Sequence, residues 1–187
     1  MCFCGGGNFA CLKSRGMRAT LGIMITSTTY GTWLRGDRRG WIEDGRLMPP
    51  EPDIETADRK RLKHPPFLFD RSQLDDVGRF IGESIVTRLA APVLALHVGA
   101  WHFHLVVGVQ PDDVPGVVKC AKDAVRFKLL PSRPIWTADY DKRFCFDVAA
   151  LVARVRYVER HNVAMGWAAR PWEFITPVDD YLRRITP

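Results

Sequence analysis

The sequence has no apolar run that approaches the ~20 residues of a membrane-spanning helix. It has five cysteines, and none of them forms a C-x-x-C pair, so neither a disulfide framework nor a zinc knuckle is expected. It also lacks a Walker loop, a Rossmann glycine pattern, a Ser-His-Asp spacing, a convincing pair of catalytic carboxylates and any internal repeat. These absences predict no membrane partner and argue against the common nucleotide-binding and hydrolase classes.

The N-terminal segment, residues 1–16, lacks the apolar core of a signal peptide and contains three consecutive glycines. We expect it to be a disordered or mis-annotated extension, with the natural start at Met17. Residues 17–187 are then expected to form a single domain, because this length suits one hydrophobic core. Cys120 and Cys145 are expected to be buried thiols in a reducing compartment.

Apolar periodicity and turn residues predict an α+β fold. Strands are expected over residues 20–31, 92–98 and 100–109, with a further short hairpin over 133–147. Helices are expected over residues 72–90, 112–131 and 148–162. This order predicts one antiparallel sheet with helices packed on it.

Local signals set the ends of several of these elements. Gly99 is expected to join two strands as a hairpin, and Asp147 to cap the third helix. Ser72 and Asp75 have the spacing of a capping box at the start of the first helix. Residues 32–67 contain many glycines, prolines and charges, and are expected to form a long irregular segment.

The stretch "AWHFHLVVGV", residues 100–109, places two histidines in an apolar, β-branched strand. Side chains alternate along a strand, so His102 and His104 point to the same face. Taken alone, such a pair is more typical of hydrogen-bonded packing residues than of metal ligands. Other residues must decide between the two interpretations.

The third helix carries a second polar pair, Tyr157 and His161, one turn apart. Its core-facing stripe is expected to consist of Val148, Leu151, Val152, Val155 and Val158. Tyr157 and His161 are expected roughly opposite this stripe, and a solvated, exposed pair is the simpler interpretation. A third histidine near the strand pair would instead complete a metal site, with a tyrosine hydroxyl beside it as a nucleophile.

Such a site suits one class of chemistry. A divalent ion on His102, His104 and His161 would keep open positions for a phosphate oxygen, which the ion polarises. A tyrosine hydroxyl is a weak nucleophile until a nearby cation activates it or the phosphate. The four residues together describe metal-assisted transesterification of a phosphodiester.

Four segments of the sequence resemble the single-tyrosine HUH transposases, in particular the branch associated with repetitive extragenic palindromes (REP). "HFHLVV" resembles the HUH motif, and "RYVERHNVAMGW" resembles the catalytic helix, commonly written Y-I-x-x-N-P-V-x-A-G-L. "TSTTYGTWLRGDRRGW" resembles the opening strand and loop, and "PIWTADYDKRFCFD" the segment before the helix. The resemblance covers residues 22 to about 175, in the same order along the chain.

The resemblance implies a ferredoxin-like or RRM-like sheet, the HUH endonuclease fold, and cleavage of single-stranded DNA beside a hairpin. Tyr157 matches the nucleophile that forms a 5′-phosphotyrosine link, and His102 and His104 match the pair that binds Mg²⁺ or Mn²⁺. His161 matches the polar residue that completes the site, although the family usually has Asn or Gln there. Asn162 stands where the family has proline, and "VGAW" replaces the more common M-P-N. The resemblance also implies a cytoplasmic, nucleoid-associated bacterial protein, with a homodimer as an open expectation.

Candidate DNA contacts lie in two basic segments of a chain whose net charge is +6. The loop "WLRGDRRGW" holds five of them, which could bind phosphates or stack on unpaired bases: Trp33, Arg35, Arg38, Arg39 and Trp41. On the second helix, Lys122 and Arg126 share a side with Lys119 and could follow a DNA backbone. A solvated turn with tryptophans anchored in the core explains the loop equally well, and "DRKRLKH" (58–64) is expected to be only a solvated charge run.

Two other functions stay open at the level of the sequence. One is a domesticated protein that binds single-stranded DNA hairpins without cleaving them. The other is a metal-free RRM-like RNA-binding protein, in which the two strand histidines would not affect affinity. A pure binding module has no chemical need for a tyrosine one turn from a third ligand, so the sequence favours the transposase.

Overall fold

A computed structural model describes residues 20–43 and 46–185 of the chain. The expectations for residues 1–16 and for a start at Met17 therefore lie outside the described residues. The strands are β1 (Gly22–Thr28), β2 (Trp41–Glu43), β3 (Arg46–Met48), β4 (Val93–Gly99), β5 (His102–Val107) and β6 (Asp141–Cys145). The helices are α1 (Pro52–Arg61), α2 (Leu74–Leu89), α3 (Val114–Leu129), α4 (Val148–Ala164) and α5 (Val178–Ile185).

Four strands form one antiparallel sheet in the order β4-β5-β1-β6, and β2 and β3 form a separate hairpin. Along the chain, β1, α2, β4, β5, α3 and β6 follow the β-α-β-β-α-β order of a ferredoxin-like unit. The predicted α+β class, with one antiparallel sheet and helices packed on it, is confirmed. Helix α4 follows this unit and packs against β4.

The two faces of the sheet are covered differently. The face under α2 and α3 is apolar, and its buried residues include Ile25, Val98, Phe103 and Leu105. The opposite face is covered by α4 through a smaller apolar cluster that includes Met24, Ala95, Val106, Leu151 and Val155. Alternation of side chains along each strand produces this division. All four histidines of the sheet and α4 lie on the α4 side.

A β-bulge interrupts the pairing of β4 with β5. Val93 pairs with Val107 and Ala95 pairs with Val106, so Leu94 is an extra residue on β4. Leu94 and Ala95 both pack in the cluster under α4, whereas Val93 and Leu96 face α2 and α3. Beyond the bulge the register is regular and sets His97 directly opposite His104.

Helix α4 is fixed at its start as the sequence predicts, because Asp147 Oδ1 accepts a hydrogen bond from the Ala150 N–H at 2.7 Å. Its buried residues are Leu151, Val155, Val158 and Asn162. Val148, which the sequence places in the core stripe, is 48% exposed. The stripe thus continues to the end of the helix through a polar residue, and the sequence analysis did not predict this.

Three local predictions are wrong. Residues 32–67 are not irregular throughout, because they contain the β2–β3 pair and α1, and the "DRKRLKH" run begins in the last turn of α1. Residues 133–147 do not form a hairpin with themselves, since β6 pairs with β1 and Trp136 makes only an isolated bridge to Thr29. The capping interaction before α2 comes from Gln73 Oε1, which accepts from the Asp70 N–H at 3.0 Å, and not from Ser72 and Asp75.

Cys120 and Cys145 are buried free thiols, as expected. Among the described residues, no helix is both long enough and apolar enough to cross a membrane.

Candidate active site

The residues singled out in the two motifs come together on the α4 side of the sheet. The ring centres of His102 and His104 are 4.6 Å apart, and those of His104 and His161 are 5.2 Å apart. The Tyr157 ring lies 4.7 Å from His161 and 5.5 Å from His104. A strand pair and a helix pair some fifty residues apart therefore form one cluster within a single chain.

The local structure explains why these side chains meet. His102 and His104 alternate with Phe103, which is buried on the other face of β5. Helix α4 packs on the sheet through Leu151, Val155 and Val158, which places Tyr157 and His161 beside this stripe. The expectation that they lie opposite the stripe is wrong, because Tyr157 packs against the cluster and both side chains are half-buried.

A fourth imidazole, His97 of β4, belongs to the same cluster. Its ring centre lies 5.1 Å from His161, 5.5 Å from His102 and 6.2 Å from His104. The chain has five histidines, and only His64 is elsewhere, against Tyr30. Sequence reasoning missed His97. The signal was available, because two strands that turn through Ala100 and Trp101 must place His97 opposite His104.

Burial keeps these imidazoles neutral. Desolvation, followed by the neighbouring histidines, lowers the pKa of His102 to about 2 and that of His104 to about 3. Desolvation also lowers the pKa of His97, although its hydrogen bond to the Asn162 side chain opposes this, and it lowers the pKa of His161. Neutral imidazoles with a free lone pair are the form that binds metal ions.

Two hydrogen-bonding features fit a bound cation. His104 Nδ1 lies 2.8 Å from Thr26 Oγ1, which orients the ring and leaves Nε2 available. His102 Nδ1 is buried and has no hydrogen-bond partner among the described residues. An orphaned buried nitrogen next to three other imidazoles is costly unless something binds there. The donor set therefore suits a divalent ion that prefers nitrogen ligands.

The spacing of the imidazole rings suits one bound ion, whereas their nitrogens are not arranged as a preformed metal site. One ion bound by two imidazoles at ~2.1 Å per bond holds their ring centres roughly 4.5 to 6.5 Å apart, and the cluster has this spacing. Within residues 20–43 and 46–185, however, no group of three or more His, Cys, Asp or Glu side chains already has preformed metal-site geometry. The spacing of the rings is set by β5 and α4, whereas rotation of an imidazole about its own axis moves its nitrogens.

Part of the basic loop lies against the cluster. Trp101, which precedes His102, has its ring centre 4.0 Å from the His102 ring. The Arg39 guanidinium lies over Trp101 at 4.4 Å and over Trp33 at 5.4 Å. Arg39 also pairs with Asp37 at 2.6 Å, which lowers the pKa of that carboxyl. The loop thus places the Arg39 guanidinium against the faces of two tryptophans, one of which contacts His102.

The other loop residues have more ordinary surroundings. Trp41 is buried, and its Nε1–H donates to the Pro49 carbonyl at 2.9 Å. Arg35 pairs with Asp58 of α1 at 2.8 Å, and Arg38 is exposed. The core-anchor interpretation therefore describes Trp41, whereas the DNA-binding roles of the exposed arginines stay predictions.

Lys122 and Arg126 lie away from the histidines, on α3 beneath the other face of the sheet. The Lys122 ammonium donates to the carbonyls of Thr137, Ala138 and Asp139 at 2.7 to 3.1 Å. Burial lowers the pKa of this lysine. Arg126 lines a groove of about 640 Å³ at the end of α3. The structure does not bring these two residues to the cluster, so any contact of theirs with DNA would be at a separate surface.

Comparison with solved structures finds six similar chains, among them the following two. A REP-associated tyrosine transposase bound to a REP hairpin has a TM-score of 0.48 and 16% identity, over 94% of this chain and 88% of that one. A provisionally named transposase from Deinococcus radiodurans R1 has a TM-score of 0.38 and 18% identity, over 80% of this chain and 96% of that one. No protein-family model matches the sequence, and no curated protein is significantly similar to it.

Proposed function

We propose that this chain is a metal-dependent DNA transposase of the single-tyrosine HUH type, which nicks and rejoins single-stranded DNA beside a hairpin. The proposal depends on one observation: the side chains of His102, His104, His161 and Tyr157 lie next to one another on the α4 side of the sheet. The packing of α4 on the sheet brings these two motifs together, but it does not require a tyrosine and three histidines at the positions that meet.

In this proposal Tyr157 is the nucleophile. Its hydroxyl oxygen forms a bond to a DNA phosphorus while the bond from that phosphorus to the 3′ oxygen breaks. The products are a 5′-phosphotyrosine link and a free 3′-hydroxyl, and the proton lost by the tyrosine balances the one gained by the leaving oxygen. Rejoining is the reverse attack by a 3′-hydroxyl on the phosphotyrosine. Because two phosphoester bonds of similar energy are exchanged, the reaction needs no external energy source.

The histidines would hold a divalent ion, Mg²⁺ or Mn²⁺, on His102, His104 and His161. When bound, the ion would polarise the scissile phosphate. The chain itself supplies the other elements: α4 holds the tyrosine next to the site, and the apolar cluster under α4 keeps the helix on the sheet. All four residues belong to one chain, so the proposed site is complete without a partner copy, and a homodimer stays a separate prediction.

Single-stranded DNA is the proposed substrate because the surface beside the cluster suits unpaired bases. Arg39, whose guanidinium lies over both Trp33 and Trp101, combines a cation with aromatic faces next to His102. Arginine and tryptophan both stack on splayed bases, and the guanidinium can also bind phosphate. Arg38 adds an exposed positive charge in the same loop.

A covalent-adduct assay tests the proposal directly. The protein is incubated with hairpin-bearing single-stranded DNA and Mn²⁺, and the products are separated on a denaturing gel. We expect a protein–DNA adduct with the wild type and none with Tyr157→Phe, while Tyr140→Phe, a half-buried tyrosine beside Lys122, serves as the matched control and retains the adduct. His102→Ala with His104→Ala should also abolish it.

Three results would contradict the proposal. Tight hairpin binding with no adduct under Mg²⁺ or Mn²⁺ would identify the domesticated binding protein instead. An adduct that persists in Tyr157→Phe would exclude this tyrosine as the nucleophile. RNA binding that is unchanged by loss of both strand histidines would identify the metal-free RNA-binding alternative.

A further inference from the structure

His97 has surroundings that packing alone does not explain. It is 3% exposed, on the strand next to β5, and its ring lies 5.1 to 6.2 Å from those of the other three clustered histidines. Apolar residues fill the remaining positions of β4, so an imidazole here replaces a side chain that would have packed at no polar cost. A buried imidazole is not costly when each of its two ring nitrogens has a hydrogen-bond partner or a bound ligand.

One nitrogen of His97 is fixed by Asn162, a fully buried residue at the end of α4. Asn162 Nδ2 donates to the carbonyls of Leu96 and Ala169, both at 2.9 Å. Because both N–H donors are used in this way, the amide oxygen must be the atom that lies 2.9 Å from His97 Nδ1. That oxygen can only accept, so His97 Nδ1 carries the proton and Nε2 has the free lone pair.

The free nitrogen of His97 shares a confined space with the orphaned nitrogen of His102. A Cβ added at Gly99 would lie 3.3 Å from His102 Nδ1 and 3.4 Å from His97 Nε2. The two nitrogens therefore flank the same small volume, which glycine leaves open and an alanine side chain would fill. His102 Nδ1 has no hydrogen-bond partner among the described residues, and the side-chain hydrogen bond of His97 is made by its other nitrogen, Nδ1.

We propose that His97 is a fourth imidazole ligand of the divalent-ion site, with Nε2 as the donor atom and Asn162 as the residue that positions it. The inference rests on the metal site of the proposed function. The six ring-centre distances among the four histidines lie between 4.6 and 6.4 Å, which is within the separation that two imidazoles bound to one ion can have.

The proposal also specifies the class of metal. Mg²⁺ prefers oxygen ligands and gives up its water slowly, whereas imidazole ligands suit Zn²⁺, Fe²⁺, Ni²⁺ and Cu²⁺ better. Four neutral imidazoles with no carboxylate among them are a nitrogen-rich set. The site therefore selects a transition-metal ion over Mg²⁺, which narrows the choice that the motifs leave open.

Nuclear magnetic resonance of the full chain labelled with ¹⁵N-histidine tests this without any variant. In the metal-free protein we expect the Nδ1–H tautomer at His97. During titration with Zn²⁺, which is diamagnetic, the ring nitrogens of His97, His102, His104 and His161 should shift together, with Nε2 as the atom affected in His97. His64 should not respond, because its ring lies against Tyr30 and outside the cluster.

The outcomes separate this inference from the proposed function. If Zn²⁺ shifts His102, His104 and His161 but leaves His97 unchanged, the fourth ligand is excluded and the proposed metal site survives. If Zn²⁺ shifts no histidine, both the fourth ligand and the metal site are excluded. Mg²⁺ binding as tight as Zn²⁺ binding would overturn the inferred metal class alone.

Variants provide a second readout. Removal of a residue that orients a metal ligand typically weakens metal binding 10- to 100-fold, so Asn162→Ala should weaken Mn²⁺ binding by about this factor. The same variant should release metal-free His97 into a mixture of tautomers that Zn²⁺ returns to the Nδ1–H form, and a merely structural role would not produce this response to the metal. His97→Gln should weaken binding at least tenfold, and His64→Ala should leave it unchanged. Unaltered Mn²⁺ affinity in both cluster variants would overturn the proposal.

Discussion

The two faces of the central sheet are built from the same four strands and have opposite chemistry. Under α2 and α3, β5 contributes Phe103 and Leu105 to a dry apolar core. Under α4, the same strand contributes His102 and His104, and the apolar cluster there stops short of them. Alternate residues of the same strand therefore have different roles: one set packs in the core, and the other carries the proposed chemistry.

This contrast shows how little sequence separates stability from function here. Neighbouring residues such as Thr26 and Ser27, or Phe103 and His104, point to different faces of the sheet. One residue of each pair therefore lies at the candidate site and the other in the apolar core. Substitutions on the α2–α3 face should change the free energy of unfolding, and those on the α4 face should change metal binding and cleavage. The following variants test that division, in order of decreasing expected effect.

Phe103→Ala should destabilise the protein by about 3 to 5 kcal/mol, because it removes a fully buried aromatic ring and leaves a cavity. His104→Ala, one residue away, should cost about 1 kcal/mol in metal-free protein, since one hydrogen bond to Thr26 is lost. Urea unfolding of both variants measures the difference. Equal losses would mean that the two faces contribute equally to stability.

The histidine face should make the metal-free protein sensitive to acid. The pKa values of His102 and His104 fall from 6.5 in the unfolded chain to about 2 and about 3 in the fold. Below pH 6.5 the unfolded state therefore takes up protons that the native state refuses, and stability falls as pH falls. Each histidine should contribute about 1.4 kcal/mol per pH unit within this window.

The variant His104→Gln sharpens the pH prediction. Its free energy of unfolding should fall less steeply with decreasing pH than that of the wild type, by the equivalent of one proton. Urea unfolding between pH 6.5 and about 4.5, above most carboxyl pKa values, isolates the histidine contribution. Identical slopes for the two proteins would show that His104 is not held neutral by the fold.

Gly82→Ala should destabilise the α2–α3 side by about 1 to 3 kcal/mol through overpacking. A Cβ at Gly82 would lie 2.0 Å from the Phe174 ring, which covers the outer side of α2. Gly116→Ala on α3 is the matched control, because an added Cβ there meets no described atom within 4 Å. The control should stabilise the protein by about 0.4 to 1 kcal/mol, since it restricts the unfolded chain. Thermal unfolding would contradict the packing argument if both variants behaved alike.

Ser27→Ala should stabilise the protein by about 1 kcal/mol. Ser27 lies on the apolar face, and its buried hydroxyl has no partner among the described residues, so its removal ends a desolvation cost. Thr26→Val, on the other face, should leave stability within about 1 kcal/mol and weaken Mn²⁺ binding, because the His104 ring loses its hydrogen bond. A destabilised Ser27→Ala would refute this account of the apolar face.

The sequence predicted the parts of the fold that depend on local periodicity. Alternation along β5 placed His102 and His104 on one face, and the stripe of α4 with its Asp147 cap placed that helix. Helix α1 was not predicted from the sequence, because all of its residues are half-buried or exposed and it has no apolar stripe. The pairing of β6 was predicted wrongly, because its partner is β1, which is distant in sequence, and not the segment just before β6.

The candidate site follows the same rule. Pairs on one element could be read from spacing, whereas the convergence of β5 with α4 depends on tertiary packing. The roles of His97 and Asn162 required both the hairpin register and the hydrogen-bond network at the end of α4. No single-element pattern contains that information.

The bulge at Leu94 has a consequence for how this sheet can vary. Since β4 changes phase there, an insertion or deletion before the bulge can be absorbed by enlarging or erasing it. The tight turn after Gly99 independently anchors the portion that bears His97. The connection between α2 and β4 can therefore change in length while the four clustered histidines keep their arrangement. Length differences between homologous chains should accumulate at this connection, and a foreign segment could be inserted there.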